Sequence, residues 1–291
     1  MINFVLYLSV FVFLRKKKVS NNAVDFFFLL YPSLMLYTSL ALRETLVLFF
    51  MMISLYTIIV KDRTVVGLII AVPLAFLKIQ NFLMILLALS IFKVLSGRLN
   101  LRKLIIIALI PMAYMYLQDL RISYFTLGQY FSLEKMEMYR NYMYYENTGD
   151  YRLGYEPIGG WANLPFISVK SLFYFLLRPL PWQATNILQL VQSLENLFMV
   201  ALLVLVNLKK TYSKSVKRKR LFLNIFLLVS MTVYGLMVFN YGAAARYRFV
   251  LLAVYFVFNF YLLGYDKLLY RNTVLRVRNN MGALSVGAAS L

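Results

Sequence analysis

The chain has 291 residues, of which 62% are hydrophobic and 14% are charged, and its mean hydropathy is +0.72. A water-soluble domain of this length could not bury so much apolar surface, so these values exclude that class. The formal net charge of +20 comes from short basic clusters between apolar segments. That distribution indicates membrane topology and argues against nucleic-acid binding.

Two residue types that carry much of enzyme chemistry, cysteine and histidine, are absent from the sequence. The chain therefore has no disulfide, no thiolate nucleophile and no Ser-His-Asp triad. It also cannot build an HExxH zinc site or a haem-histidine site. The sequence indicates no cofactor. A divalent metal ion bound by oxygen ligands stays an open alternative.

Apolar segments follow one another along the chain and predict an all-α, polytopic membrane protein with about nine membrane segments. We predict a helical membrane domain over residues 1–278, with one large outer loop at residues 117–168, and a disordered tail over residues 279–291. The two short segments on either side of Lys78 also fit a re-entrant pair, with Lys78 at an outer turn. The nine segments cover residues 2–14, 24–42, 45–60, 64–77, 79–94, 104–116, 184–208, 221–240 and 249–264.

Basic residues collect at alternate ends of these segments and indicate the orientation of the chain. By the positive-inside rule, the N-terminus is expected outside and the C-terminus in the cytoplasm. In that arrangement 21 of the 31 Lys/Arg residues lie in inner clusters, at residues 15–18, 61–63, 93–103, 209–220 and 267–278.

Four arginines break this charge rule because they lie at outer segment ends: Arg43, Arg178, Arg246 and Arg248. Guanidinium groups make bidentate contacts to phosphate, so a site for a lipid phosphate or pyrophosphate at the outer leaflet would need such residues. The other interpretation is that each arginine extends to an ordinary lipid head group. Trp182 ends the turn in which the outer loop returns to the membrane, and it joins the candidate binding residues.

Carboxylates that could act as an acid or base are few. Glu44 starts a segment beside Arg43, where a carboxylate that stabilises the helix dipole is also expected. Glu195 lies in a polar stripe of an apolar segment, which fits either the wall of a polar cavity or a hydrogen-bonding seam between helices. The outer loop adds Asp119, Glu134, Glu137, Glu146, Asp150 and Glu156. The catalytic candidates are Glu44, Asp119, Glu134 and Glu195.

The outer loop is also rich in aromatic residues, from Tyr124 to Phe166. Aromatic faces combined with amides and carboxylates suit sugar rings, and tyrosine supplies both an apolar plane and a hydrogen-bonding tip. An interfacial aromatic belt is the other interpretation.

Three short stretches resemble motifs of bacterial polytopic glycan-assembly proteins. They are Pro32-Ser33-Leu34 with Ser39 and Leu42-Arg43-Glu44 (PS…S…LRE), Arg178-Pro179-Leu180-Pro181-Trp182 with Glu195-Asn196 (RPFPW…E), and Asn240-Tyr241-Gly242 with Arg246-Tyr247-Arg248 (GN.G…RYR). Over roughly residues 24–264, the chain resembles GT-C-type membrane glycosyltransferases and O-antigen (repeat-unit) polymerases.

This resemblance implies transfer or polymerisation of polyprenyl-(pyro)phosphate-linked sugars at a bacterial inner membrane, in polysaccharide biosynthesis. The expected partners are a polyprenyl-linked sugar or oligosaccharide, membrane lipids and glycan-assembly proteins, without nucleic acid.

One departure from the family pattern concerns the catalytic acid. GT-C enzymes usually carry it in the first outer loop after the first span, and this chain has no acidic loop there. We therefore expect the chain to correspond to the family without its usual N-terminal portion. The departure keeps open a non-enzymatic alternative, in which the protein is a lipid-glycan transporter or an assembly partner of a glycan enzyme.

Overall fold

The computed structural model describes residues 2–39, 43–96, 121–122, 125–126, 132–146 and 154–288. Within these ranges a 3-10 helix covers Pro181–Gln183, and two short strands, β1 (Arg121–Ile122) and β2 (Phe125–Thr126), pair antiparallel. Everything else with regular structure is α-helical, so the all-α class is confirmed. The helices are α1 (Ile2–Lys16), α2 (Asn22–Leu30), α3 (Pro32–Ser39), α4 (Glu44–Ile59), α5 (Thr64–Leu95), α6 (Leu133–Glu146), α7 (Leu164–Leu177), α8 (Ile187–Leu208), α9 (Lys214–Met237) and α10 (Tyr241–Ala288).

Four helices in the described part of the chain are long and apolar enough to cross a membrane: α5, α8, α9 and the Tyr241–Arg271 part of α10. Two further apolar helices, α4 and α7, have 16 and 14 residues. A span needs about 20 residues, so these two are short for a full crossing. The predicted sixth segment, residues 104–116, lies outside the described residues, and the count of nine stays a prediction.

The structure has one helix break inside a predicted segment, 24–42, and one between the predicted segments 64–77 and 79–94. At Pro32, α2 ends and α3 begins, with Tyr31 extended between them (φ −72°, ψ 108°). Proline disfavours helical geometry at the residue before it and is itself well suited to the first helical position. The second break lies within α5 at Lys78, which is extended (φ −156°, ψ 97°) between two helical halves. A helix break therefore lies at the residue where we predicted a turn.

The predicted turn at residues 241–248 is instead the beginning of α10. Asn240 caps this helix, because its side-chain oxygen accepts hydrogen bonds from the backbone N–H groups of Gly242 (2.8 Å) and Ala243 (3.2 Å). Asparagine is among the strongest N-cap residues, and the alanines that follow favour helix. Arg246 and Arg248 consequently lie on the first turns of a helix.

The chain divides into two compact units. Unit 1 comprises Met1–Ala71, Ala201–Asn224 and Leu252–Leu291, and unit 2 comprises Val72–Val200 and Ile225–Leu251. In unit 1 the Tyr7 hydroxyl donates to the carbonyl of Phe28 (2.8 Å), and the ring of Phe27 packs on that of Phe256 at 5.1 Å. These contacts join α1, α2 and α10.

In unit 2, helices α7 and α9 approach each other closely at Gly235. A Cβ atom at this position would lie 2.5 Å from the backbone oxygen of Ser171, which is below any normal contact distance. Beside this crossing, Ile158, Ile167 and Leu236 form a buried apolar cluster. Glycine at position 235 therefore sets the spacing of the two helices.

We expect Gly235→Ala to lower the free energy of unfolding by about 1–3 kcal/mol, because the added methyl meets helix backbone and not a flexible side chain. Thermal unfolding of the purified protein in detergent measures the change. Gly160→Ala is the matched control, since a Cβ there has nothing within 4 Å. Equal unfolding midpoints for the two variants would contradict the close approach.

Candidate functional site

Unit 2 brings together three of the four predicted outer arginines. Arg178 follows the last residue of α7, and Arg246 and Arg248 lie on the first turns of α10. A fourth cation, Lys78 at the break in α5, shares the ring of Tyr247 with Arg246. We call this set the cation–tyrosine cluster: Lys78, Tyr174, Arg178, Tyr234, Arg246, Tyr247 and Arg248.

Arg248 holds the end of α7. Its side chain is 2% exposed, and its Nη1 donates to the carbonyl oxygens of Phe175 (2.5 Å), Leu176 (3.0 Å) and Arg178 (3.4 Å). The last carbonyls of a helix have no partner within the helix and carry the negative end of its dipole. From α8, the side-chain amide of Asn196 donates to the Arg178 carbonyl at 3.1 Å. Arg248 and Asn196 thus fix the turn in which Arg178 lies, where the Arg178-Pro179 peptide is cis.

The Arg178 guanidinium lies on the ring of Tyr174, with its central carbon 3.6 Å from the ring centroid. This is a close cation–π contact. Gly154, with φ +93°, packs against the same group, because a Cβ there would be 3.3 Å from Nη1 of Arg178. Both the positive φ and the lack of space favour glycine at this position. The part of the predicted outer loop at Gly154 therefore lies directly on Arg178.

Lys78 and Arg246 meet at the ring of Tyr247. The Lys78 ammonium, on a side chain that is 8% exposed, is 3.4 Å from the ring centroid, and Nη2 of Arg246 donates to the Tyr247 hydroxyl at 2.9 Å. Tyr247 stacks on Tyr234 at 5.0 Å, and the Tyr234 hydroxyl donates to Asn81 at 2.8 Å. A buried cation is costly in an apolar environment unless polar or aromatic partners surround it.

The polar stripe of α8 forms a seam between helices. Gln192 donates to the carbonyl of Tyr241 at 3.3 Å, and Asn196 donates to the turn after α7. For these two residues the seam interpretation is supported. Glu195 lies half-buried on the same helix, and its catalytic role stays a prediction.

Glu137, near the start of α6, has a structural role. The two oxygens of Glu137 accept hydrogen bonds from the Tyr155 hydroxyl (2.7 Å) and the backbone N–H of Ile158 (2.8 Å). Burial, with the hydrogen bond to Glu137, raises the pKa of Tyr155 to about 12. Arg140 is 1% exposed and donates to the carbonyl of Leu236, and burial lowers the pKa of its guanidinium.

A second loop acid, Glu156, lies close to the cluster. Its carboxylate accepts a hydrogen bond from Lys170 and lines a cavity of about 10 Å³, enough for one water molecule. Tyr174, whose ring carries Arg178, lines the same cavity. The cavity is lined by Arg140, Gly154, Glu156, Ile167, Lys170, Ser171 and Tyr174.

The other predicted site residues are not joined to the cluster by a described contact. Glu44 is 2% exposed at the start of α4 in unit 1, and Arg43 before it is exposed. Glu134 is exposed in the first turn of α6, and Trp182 is 79% exposed in the 3-10 helix. Asp119 lies outside the described residues.

Lys78 and Tyr247 were not among the predicted site residues. A lysine between two apolar segments is a signal that could have identified Lys78, because charged residues at such positions are usually functional or paired. Tyr247 stands between two of the predicted arginines, Arg246 and Arg248, and that position is the signal that could have identified it.

Metal ligands do not cluster in the part of the chain that the structure covers, where no group of three acidic side chains could hold an ion. Comparisons with models of known families, with curated proteins and with solved structures found no match to this chain. The geometry of the cluster is therefore the basis of the functional argument.

We expect Arg248→Gln to lower the free energy of unfolding by about 2–4 kcal/mol, because it leaves the buried carbonyls at the end of α7 without their charged donor. Arg246→Gln, at a half-buried position on the same helix, should cost clearly less. Unfolding midpoints of both purified variants in one detergent make the comparison. If the order were reversed, Arg248 would not be the residue that holds the turn.

Proposed function

We propose that this protein is a bacterial membrane enzyme that transfers or polymerises polyprenyl-(pyro)phosphate-linked sugars in surface-glycan assembly. The observation that carries the proposal is that cations in unit 2 are held on tyrosine rings at ends and breaks of apolar helices: Lys78 and Arg246 on Tyr247, and Arg178 on Tyr174. A ligand with an anionic head and a long apolar tail matches these surroundings. In the nine-segment topology with the N-terminus outside, the cluster would lie at the outer face of the inner membrane.

The cations differ in the part we assign to them. Arg178 and Arg246 are both half-buried and would bind phosphate oxygens, since guanidinium makes paired hydrogen bonds to phosphate. Lys78 would add a compact charge between them. Arg248 donates to the carbonyls of α7 and would position Arg178 instead of binding phosphate itself.

The proposed step is a substitution at the anomeric carbon of the lipid-linked sugar. An acceptor hydroxyl forms the new C–O bond, the bond to the phosphate oxygen breaks, and the leaving (pyro)phosphate keeps the electron pair. Positioned cations stabilise the negative charge that develops on the leaving group. A carboxylate takes the proton of the acceptor.

Among the described carboxylates, Glu156 is the one we propose as this base. It shares the wall of one cavity with Tyr174, which in turn lies under Arg178. Its carboxylate is paired with Lys170. Glu44, Asp119, Glu134 and Glu195 stay candidates from the sequence.

The sugar portion would contact exposed aromatic faces. Tyr142 and Tyr145 on α6 and Trp161 after the glycine pair are all more than half exposed. Such rings stack on the C–H faces of sugars while tyrosine hydroxyls meet the sugar hydroxyls.

We expect Arg178→Gln and Arg246→Gln each to weaken binding of a short-chain polyprenyl phosphate by roughly ten- to a hundred-fold, the loss of one charge-assisted contact. Binding to the purified protein in detergent is measured by native mass spectrometry. Lys135→Gln on α6 is the control for loss of one positive charge. Unchanged affinity in both arginine variants would remove the phosphate site from the proposal.

Cells that lack the protein should accumulate its lipid-linked substrate and lose either long chains, as for a polymerase, or one sugar, as for a transferase. Glu156→Gln, restored at equal membrane abundance, should fail to correct the glycan profile while retaining polyprenyl-phosphate binding, and Glu134→Gln should correct it. An unchanged profile in the deletion strain would reject the enzyme and leave the transporter or assembly partner.

A further inference from the structure

Unit 1 carries a large exposed basic surface made of three chain segments. They are the end of α1, the turn after α4, and the loop and first turns that lead into α9. We call this the basic surface. Its exposed members are Lys16, Lys17, Lys18, Lys61, Arg63, Lys209, Lys210, Lys214, Lys217 and Arg218.

Two contacts bring the three segments together. The ring of Phe13, near the end of α1, meets that of Tyr56, near the end of α4, at 5.1 Å. After α4, the Asp62 carboxylate accepts a hydrogen bond from Lys219 of α9 at 2.8 Å. Both helix ends and the start of α9 therefore lie at one side of unit 1.

Unit 1 has too few acidic residues to neutralise the positive charge of this surface. The unit holds eighteen Lys/Arg against four Asp/Glu. Asp25 pairs with Arg15 at 3.3 Å and Asp62 with Lys219. Asp266 is buried and accepts from the backbone N–H groups of residues 212 and 213 (both 2.8 Å), while Glu44 lies at the opposite end of α4.

The loop between α8 and α9 is held in place from inside the unit. The Arg220 guanidinium, which is buried, donates to the carbonyls of Val206 (2.6 Å) and Lys209 (3.0 Å). Together with Asp266, it fixes the backbone that presents Lys209 and Lys210. The cations on this loop are thus preorganised, which lowers the entropic cost of binding an anion.

An exposed apolar face of α1 runs toward the basic surface. Val5, Leu8 and Val12 on this face are 53%, 42% and 46% exposed, and Lys16 at its end belongs to the basic surface. The spacing of the residues follows one face of a helix. They are Val5, Leu8, Ser9, Val12, Phe13 and Lys16.

We propose that unit 1 binds an anionic phospholipid, with one acyl chain along the apolar face of α1 and the phosphate on Lys16 and the neighbouring cations. An anionic head group complements the unbalanced charge, and an acyl chain covers the apolar face, which a soluble polyanion would leave uncovered. A zwitterionic lipid has no net charge to offer. This site is independent of the cation–tyrosine cluster of unit 2.

The test is native mass spectrometry of the full chain in detergent, titrated with phosphatidylglycerol or phosphatidylcholine of equal chain length. We expect phosphatidylglycerol to bind at least about ten-fold more tightly, with a difference that shrinks as salt is raised. Lys16→Gln, Lys17→Gln and Lys18→Gln together should remove most of that preference. The control is Lys93→Gln, Lys103→Gln and Lys135→Gln, which removes the same charge from unit 2 and should keep the preference.

A second variant tests the apolar face without changing charge. Leu8→Asn with Val12→Asn makes this exposed face polar, so it should weaken phosphatidylglycerol binding by about five-fold or more while the protein stays folded in the same detergent. Equal binding of the two lipids, or an equal effect of the control triple, would overturn the proposal. So would a dimer through α1 that dissociates in the asparagine variant and binds no phosphatidylglycerol.

Discussion

The arrangement of the candidate site depends on one contact: the guanidinium of Arg248 donates hydrogen bonds to carbonyls at the end of α7 that have no partner within the helix. A helix that ends in apolar surroundings must find donors for its last carbonyls, because no water is at hand to supply them. A buried arginine meets this need with a full positive charge at the negative end of the helix dipole. The contact ties α10 to α7 and, through the carbonyl of Arg178, determines where the chain turns toward α8.

Tyrosine rings form the second part of this arrangement. Lys78 and Arg178 each lie over a ring at 3.4 and 3.6 Å from its centroid. A ring holds a cation by its quadrupole without cancelling the formal charge. Positive groups can thereby be kept in fixed places in a mostly apolar protein and still attract an anion. Stacking of Tyr247 on Tyr234 extends the same support to the interior of unit 2.

Much of the fold could be predicted from the sequence, because long apolar segments act locally. The interruption at Lys78 is an example. Pro32 lies inside one predicted segment, and the break there was not predicted although proline acts locally. The cap by Asn240 was also missed, because its side chain starts a helix where a turn between two segments was expected. The grouping of three arginines could be expected from their predicted level in the membrane. Their separate roles could not be predicted, because a guanidinium at a helix end suits both the proposed phosphate binding and the capping of helix carbonyls. Glu156 was one of six equivalent acids until the fold of residues 154–158 brought it beside Tyr174.

Glu137 has a mechanical consequence for the site. Its two oxygens hold the Tyr155 hydroxyl and the Ile158 amide, so α6 and residues 155–158 are clamped together at two points. Gly154, one residue earlier, rests on the guanidinium of Arg178. A tilt of α6 would therefore be transmitted through this clamp to Gly154 and to the guanidinium of Arg178, so the position of that cation is coupled to the orientation of α6.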